Sequence, residues 1–262
     1  TPPLRPSPIQ TVFPPPIAPV THLMDTHFRV ETLARTEHPQ TLCWWAMHQD
    51  YSEGFVFTED PPSEPEAGII VVKHLLAGER GHYGPLEHPQ ITFNVGWFPH
   101  SVMQQARTHR VGVSFDVQSG RYTSQRILDV VTGTRTPDEV FYVRPVGTYR
   151  DRQGKSYAYT KGMREVDLED CRKAANIYAS KLGLGFSEEH ARGMLPFDVR
   201  QHFVVSFTLR ALMHFLDLRS KKDAQLEIQQ LCDLIWPHFE QWTPAIATWY
   251  ATTRLHRARL AP

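Results

Sequence analysis

The period of the apolar residues changes along this chain, and that change restricts the fold more than any other feature. In ITFNVGWF, residues 91–98, Ile91, Phe93, Val95 and Trp97 alternate with Thr92, Asn94 and Gly96, the two-residue period of a half-buried strand that Pro99 should end. From residue 166 onward the apolar positions recur every three or four residues, the period of helices with one buried face. Strand signals in the first half and helical signals in the second make the chain α+β or α/β, and no internal repeat divides it.

Gly, Pro and capping residues place the helices. TLCWWAMHQDYSEGF (41–55) predicts a helix ending near Tyr51, AGIIVVKHLLAGERG (67–81) a second stopped by Gly78, and HSVMQQARTHR (100–110) a third after the strand. VDLEDCRKAANIYASKLGLG (166–185) predicts a helix capped by Asp167 and stopped by Gly183 or Gly185. Three more follow: SEEHARGML (187–195) with Ser187 as N-cap, the whole of FDVRQHFVVSFTLRALMHFLDLR (197–219), and KKDAQLEIQQLCDLIWPHF (221–239). Residues 127–161, with Tyr, Val and Thr among scattered Gly and Pro, predict strands or irregular connections.

The first twenty residues hold eight prolines, which favour extended polyproline conformations and build neither helix nor central strand. Residues 1–23 are therefore expected to be a disordered extension, or sequence upstream of a start at Met24, before one domain over 24–262. With 262 residues and 41% hydrophobic composition, the chain can bury a substantial core. No apolar run approaches the ~18 residues that span a bilayer. Cys43, Cys171 and Cys232 are odd in number and widely spaced, which excludes a disulfide framework or Cys-x-x-Cys site and points to a reducing cytoplasm.

The 28 basic residues balance the 28 acidic ones, so no overall field holds nucleic acid or an anionic membrane, and an anionic ligand needs a local cluster. ARTHRVGVSFDVQSGRYTSQR, residues 106–126, is such a cluster: Arg107, His109, Arg110, Arg121 and Arg126 repel one another unless solvated or matched by an anion. Within it, QSGRY offers the Ser119 hydroxyl, backbone N–H groups made accessible by Gly120, and the fork of Arg121. A Ser-Gly turn beside a solvated arginine has the same sequence. Neither a dinucleotide-binding Gly-x-Gly-x-x-Gly nor a P-loop is present, so phosphate must be held by groups of this kind.

Read as a helix, the segment ending at residue 219 puts Arg219 between Phe215 and Leu212 on the apolar side, where a guanidinium needs a partner. Arg210 and His214 share the edge of that face, flanked in the same reading by Phe203 and Phe207. His82, Glu87 and His88 invite a metal reading, but the histidines are six apart around Pro85, unlike helical ligand spacing, and no metal is expected. Cys43 and Cys232 sit in apolar surroundings as core residues, not nucleophiles.

These residues resemble the flavin-dependent thymidylate synthases, whose hallmark is Arg-His-Arg, a short spacer, then Ser and a Ser-x-Arg-Tyr ending. The chain has Thr108-His109-Arg110 followed by VGVSFDVQSGRY. HYGPLEHPQITFNV resembles the segment before the hallmark and TLRALMHFLDLRSKKDAQLEIQQL the C-terminal signature, so the resemblance runs from about Val30 to Gln230. Departures are Thr108 for the first hallmark arginine, a spacer one residue longer, Gly84 for a usual threonine, Val117 for a common glutamate and Thr208 for a frequent asparagine.

The resemblance implies a central, mostly antiparallel sheet packed by helices. It also implies reductive methylation of dUMP to dTMP, with methylenetetrahydrofolate as carbon donor and NADPH as reductant through bound FAD. By the same correspondence Gln105, Ser119, Gly120 and Arg121 hold dUMP together with Arg192 from a neighbouring subunit, so the site requires an oligomer, and the resemblance implies a homotetramer. Arg219 sits against the pyrimidine, and with Ser119 is the residue placed for catalysis; Ser119 has no evident base and is not a nucleophile. Ser52, His82, His109, Arg110, Arg210 and His214 contact FAD. The alternatives are a family member altered to bind a nucleotide or RNA without turnover, and a flavin oxidoreductase acting on another nucleotide.

Overall fold

The computed structural model describes residues 23–78, 81–151 and 153–257, so the proline-rich start lies outside the described residues. In chain order the elements are β1 (Arg29–Arg35), α1 (Pro39–Gln49), α2 (Glu64–Val71, continuing as a π turn over Val72–Leu76), β2 (Gln90–Pro99), α3 (His100–Ala106) and β3 (Val113–Val117). Then come α4 (Gln125–Thr132), α5 (Pro137–Val140), β4 (Gly147–Arg150), β5 (Ser156–Tyr159), α6 (Lys161–Gly183) and α7 (Glu188–Ala191). The chain closes with β6 (Arg200–Thr208), α8 (Leu209–Arg219), α9 (Leu226–Trp242) and α10 (Pro244–Thr253).

The main sheet has the order β1-β2-β6-β3, each neighbour antiparallel, and β4-β5 form a separate hairpin. Ile91, Phe93 and Val95 of β2 are fully buried, as their alternation predicts. Trp97 departs from it. The ladder to β6 shifts register between Val95 and Phe98, Trp97 takes φ +64, and Phe98 fills the inward place at 0% exposure. The bulge adds one residue to the strand and reverses the alternation beyond it.

Residues 197–219 are not one helix. Phe203, Val205 and Phe207 alternate into the core as part of β6, the strand flanked by β2 and β3, and the helical period begins only at Leu209. Burial of aromatic and β-branched side chains on a pleated strand outweighs continuation of the helical pattern. At the junction the Thr208 hydroxyl accepts the Ala211 N–H at 3.2 Å and caps α8. The junction folds Phe207 against Phe215, ring centres 5.3 Å apart.

Two further boundaries differ from expectation. α6 starts at Lys161, with the Thr160 hydroxyl accepting from Met163 N–H, so Asp167 lies inside the helix and not at its cap. Residues 125–132, of which 127–132 are expected in strands or irregular connections, form α4 with Ile127 and Val130 buried. Ser187 caps α7 as its sequence predicts, and Gly185, at φ +87, follows the end of α6. One core lies between the main sheet and α1, α2, α3, α8, α9 and α10, and a second joins α4, α5, α6 and α7. Arg107, Arg126 and Arg192 line a cleft that also touches Met103 of the first core and Ile127 of the second.

Candidate functional site

The connection from α3 to β3 carries Arg107, Thr108, His109 and Arg110, and two neighbours there face different ways. Arg107 lines a cleft of about 640 Å³ with Val117, Gln118, Ser119, Gly120, Arg126 and Arg192. Thr108 instead turns to α8: its hydroxyl donates to Gln105 O at 2.7 Å and accepts from Arg219 Nη2 at 2.9 Å. The place of the missing hallmark arginine thus holds a hydroxyl that steadies Arg219, while the guanidinium of Arg107 reaches the cleft.

In that cleft the Ser119 carbonyl takes the N–H groups of Tyr122 and Thr123 at 3.1 and 3.2 Å, which folds the Ser-Gly turn. A side chain at Gly120 would reach 3.7 Å from Arg192 Nη1, so glycine leaves the backbone beside that guanidinium open. Arg192 belongs to the same chain as the turn it faces. Arg121 points away, to Glu189 at 3.1 Å, and both side chains are about half exposed. The cleft also gathers Arg126, not singled out from sequence as a site residue, whose pKa falls to about 10 through burial and then the charge of Arg135. Val117 adds no carboxylate there.

A second group forms where α8 passes the α3–β3 connection. Arg219 donates from Nε to His109 Nε2 at 3.0 Å and from Nη2 to Gln105 O at 3.2 Å. His109 is 6% exposed and packs edge-on against His214 and Phe215, with centroid distances of 5.1 and 5.0 Å. Burial, then the charges of Arg219 and His214, lower its pKa to about 4, so the ring is neutral, with Nε2 as acceptor and the proton on Nδ1. Arg219 has no carboxylate partner among the described residues; burial lowers its pKa too. A partly buried cation held only by neutral groups is arranged to receive negative charge.

Arg210, two residues from Thr208, meets Glu87 at 3.3 Å and lies 6.0 Å from the centre of the Tyr83 ring. Glu87 also accepts from the Thr208 hydroxyl at 2.8 Å, so it orders the start of α8. The longer spacer turns at Gly112, φ +67, whose carbonyl accepts Thr208 N–H at 2.8 Å. Ser52 and His82 lie elsewhere, at the end of α1: Ser52 donates to Glu59 at 3.3 Å and His82 is 3.5 Å from Asp50. His82 lines a cleft of about 340 Å³ with Met47, Tyr51 and His74. Arg110 is exposed on the α3–β3 connection.

Most residues named from sequence fall into three groups on one chain: the Ser119 cleft with Arg192, the Arg219 cluster with Gln105, His109 and His214, and the end of α1 with Ser52 and the His82 cleft; Arg121, Arg110 and Arg210 stand outside them. The family described as Thymidylate synthase complementing protein has a model that matches residues 31–245. A flavin-dependent thymidylate synthase of Halobacterium salinarum is 33% identical over 251 residues, covering 89% of this chain and all of the relative. The chain belongs to this family.

A second flavin-dependent thymidylate synthase, from Haloarcula marismortui, is 32% identical and covers 89% of this chain and 99% of its own length. Among solved structures, a UMP/dUMP methylase PolB from Streptomyces cacaoi, bound with 5-Br dUMP, superposes with TM-score 0.70 at 20% identity, over 90% of this chain and 97% of that one. This likeness gives the fold: a mixed helix and antiparallel-sheet domain.

The residues present fit a flavin. The Nδ1 atom of His214 is buried without a hydrogen-bond partner among the described residues, and the cations Arg110 and Arg210 flank the same stretch of α8 and the α3–β3 connection. Such groups suit the phosphate and polar ring edge of a flavin.

Proposed function

We propose that the protein methylates dUMP reductively to dTMP, with FAD bound and with methylenetetrahydrofolate and NADPH as co-substrates. The observation that carries this reading, beside family membership, is Arg219: a guanidinium on the buried side of α8, anchored by His109, Thr108 and Gln105 O, with no carboxylate partner among the described residues.

In this reading Arg219 faces the pyrimidine and stabilises the negative charge that develops as the base is activated. Its three neutral anchors hold the guanidinium in place before the charge appears, which is the condition for electrostatic stabilisation in a site partly shielded from water. Ser119, the open backbone at Gly120, Arg192 and Arg107 receive the phosphate, and Arg121 joins them after leaving Glu189. Gln105 binds the nucleotide beside Arg219. His109, Arg110, Arg210 and His214 hold the flavin, with Ser52 and His82 toward its far end. When bound, the flavin supplies the reducing hydride.

Arg219, Gln105 and His109 are not among the residues that line the Ser119 cleft. This supports a homotetramer in which one subunit offers its Ser119 cleft and a neighbour its Arg219 to the same nucleotide. The three free cysteines are all buried, in keeping with a reducing cytoplasm. Steady-state NADPH oxidation by FAD-loaded protein tests the reading: consumption is expected to rise on addition of dUMP and methylenetetrahydrofolate, and protein that cannot take up FAD would refute it.

A further inference from the structure

We propose that Glu227, acting through Gln225, is a positioning residue that fixes the amide of Gln105 with its carbonyl toward the nucleotide. The inference rests on the reading of Gln105 as a nucleotide contact, and deepens it by saying which atom does the recognising.

Glu227 opens α9 and is 1% exposed. Its Oε1 takes the Arg144 Nε–H at 2.8 Å and the Tyr142 hydroxyl at 3.0 Å, and its Oε2 takes Arg144 Nη2 at 3.3 Å. Burial alone would raise the carboxyl, but the hydrogen bonds and charge of Arg144 hold it below the usual carboxylate range, so it is ionised. An ionised carboxylate only accepts.

The side chain of Gln225 lies 2.8 Å from Glu227 Oε2, so the end it turns to the carboxylate must be its NH₂. The same NH₂ donates to Ser101 Oγ at 3.1 Å. The carbonyl of Gln225 therefore faces away, and it accepts from the NH₂ of Gln105. Polarity propagates one step further. With its NH₂ committed to Gln225, Gln105 keeps a side-chain carbonyl that makes no hydrogen bond to any described residue. Its backbone carbonyl is already taken by Arg219 and Thr108.

Gln105, whose backbone carbonyl holds Arg219, accordingly keeps a side-chain acceptor that reads a donor on the nucleotide: a sugar hydroxyl or the imide N–H of the base. Reversing the amide would set donor against donor. Neither Gln225 nor Glu227 touches the nucleotide in this arrangement. Glu227→Gln removes the constraint, because an amide can face Gln225 with either end. Arg144 is 31% exposed, so water can solvate it when the charge opposite is gone.

The test is a double-mutant cycle on FAD-loaded enzyme, with dUMP dissociation constants from calorimetry. Gln225→Leu and Glu227→Gln are each expected to weaken dUMP about tenfold when Gln105 is present and to have almost no effect in a Gln105→Ala background. Equal losses in both backgrounds would overturn the relay and leave a structural role. The 3′-deoxy and N3-methyl analogues identify the donor, since the one lacking it should bind wild type weakly and be indifferent to Glu227→Gln; both analogues binding like dUMP would overturn the acceptor assignment. Neutron diffraction of the nucleotide-free protein reads the orientation directly, whether or not dUMP binds: deuterium on Gln105 Nε2 facing Gln225 is expected, and a Gln105 carbonyl facing a Gln225 NH₂ would overturn it. Wild type that binds no dUMP would count against the proposed function, while the neutron result still decides the relay.

Discussion

Arg219 donates its Nε–H to Nε2 of His109 across 3.0 Å, joining the last residue of α8 to the connection between α3 and β3. The contact ties a cation with no carboxylate partner among the described residues to a neutral ring, so removal of the cation leaves the ring's packing on Phe215 in place. Arg219→Ala is expected to lower the rate of dTMP formation by about 10²- to 10³-fold, as for loss of an electrostatic stabiliser, while flavin content stays near wild type. Turnover close to wild type would remove the assignment of Arg219 to the base.

The same contact has a pH dependence with a definite sign. The His109 pKa is lowered from 6.5 to about 4, so its contribution to stability is present above about pH 6.5 and is lost as pH falls toward 4. Between pH 7 and 5 this amounts to on the order of 2 kcal/mol. Urea unfolding at the two pH values should show a smaller loss for His109→Asn than for wild type. Identical losses would mean that the ring is not held neutral.

Gly112 stands at φ +67, and a Cβ there would lie 2.5 Å from Thr208 Oγ1 and 3.0 Å from the Ala211 methyl. Gly112→Ala is expected to cost roughly 2 kcal/mol or more, since both backbone strain and the clash act. It should also loosen flavin, because Thr208 and Arg210 share Glu87. Thermal unfolding and the flavin-to-protein absorbance ratio read the two effects.

Arg192 and Glu189 should act in opposite directions on dUMP. Arg192→Ala is expected to raise the KM for dUMP roughly 10- to 100-fold, the range for a charge-assisted hydrogen bond to phosphate. Glu189→Gln releases Arg121 from an exposed pair worth about 1 kcal/mol or less, and should lower that KM by a few-fold at most. An increase with Glu189→Gln would show that Arg121 serves α7 and not the nucleotide.

Phe207 and Trp97 contrast a residue that obeys its strand period with one that escapes it. Phe207 is 1% exposed and Trp97 37% exposed. Phe207→Ala should destabilise the fold by about 3–5 kcal/mol, and Trp97→Ala by less than half of that, as read from chemical denaturation midpoints.

Those two residues also show what was legible in the sequence. The alternation at Ile91, Phe93 and Val95 is a local signal and fixes the face of β2. The bulge at Trp97 depends on pairing with β6, which no local window contains. β6 itself was hidden because Phe203 and Phe207 are four apart, a spacing that suits a helix face as well as every second position of a strand; only sandwiching between β2 and β3 decides it. Short motifs bring Ser119, Gly120 and Arg219 forward as candidates, and in the structure the first two line one cleft while the third joins Gln105 and His109. The same-chain approach of Arg192 to Gly120 was not legible, since 72 residues of chain separate them. Gln225 and Glu227 lay in a quoted signature, yet their role appears only when Ser101, Gln105 and Arg144 are brought around them.

The most direct measurement of the central claim is a single anaerobic turnover. FAD-loaded protein is reduced, dUMP and methylenetetrahydrofolate are added, and product and flavin absorbance are followed together. The account predicts dTMP appearing in step with return of the oxidised-flavin spectrum; a reduced flavin that persists, with dUMP recovered unchanged, would contradict it.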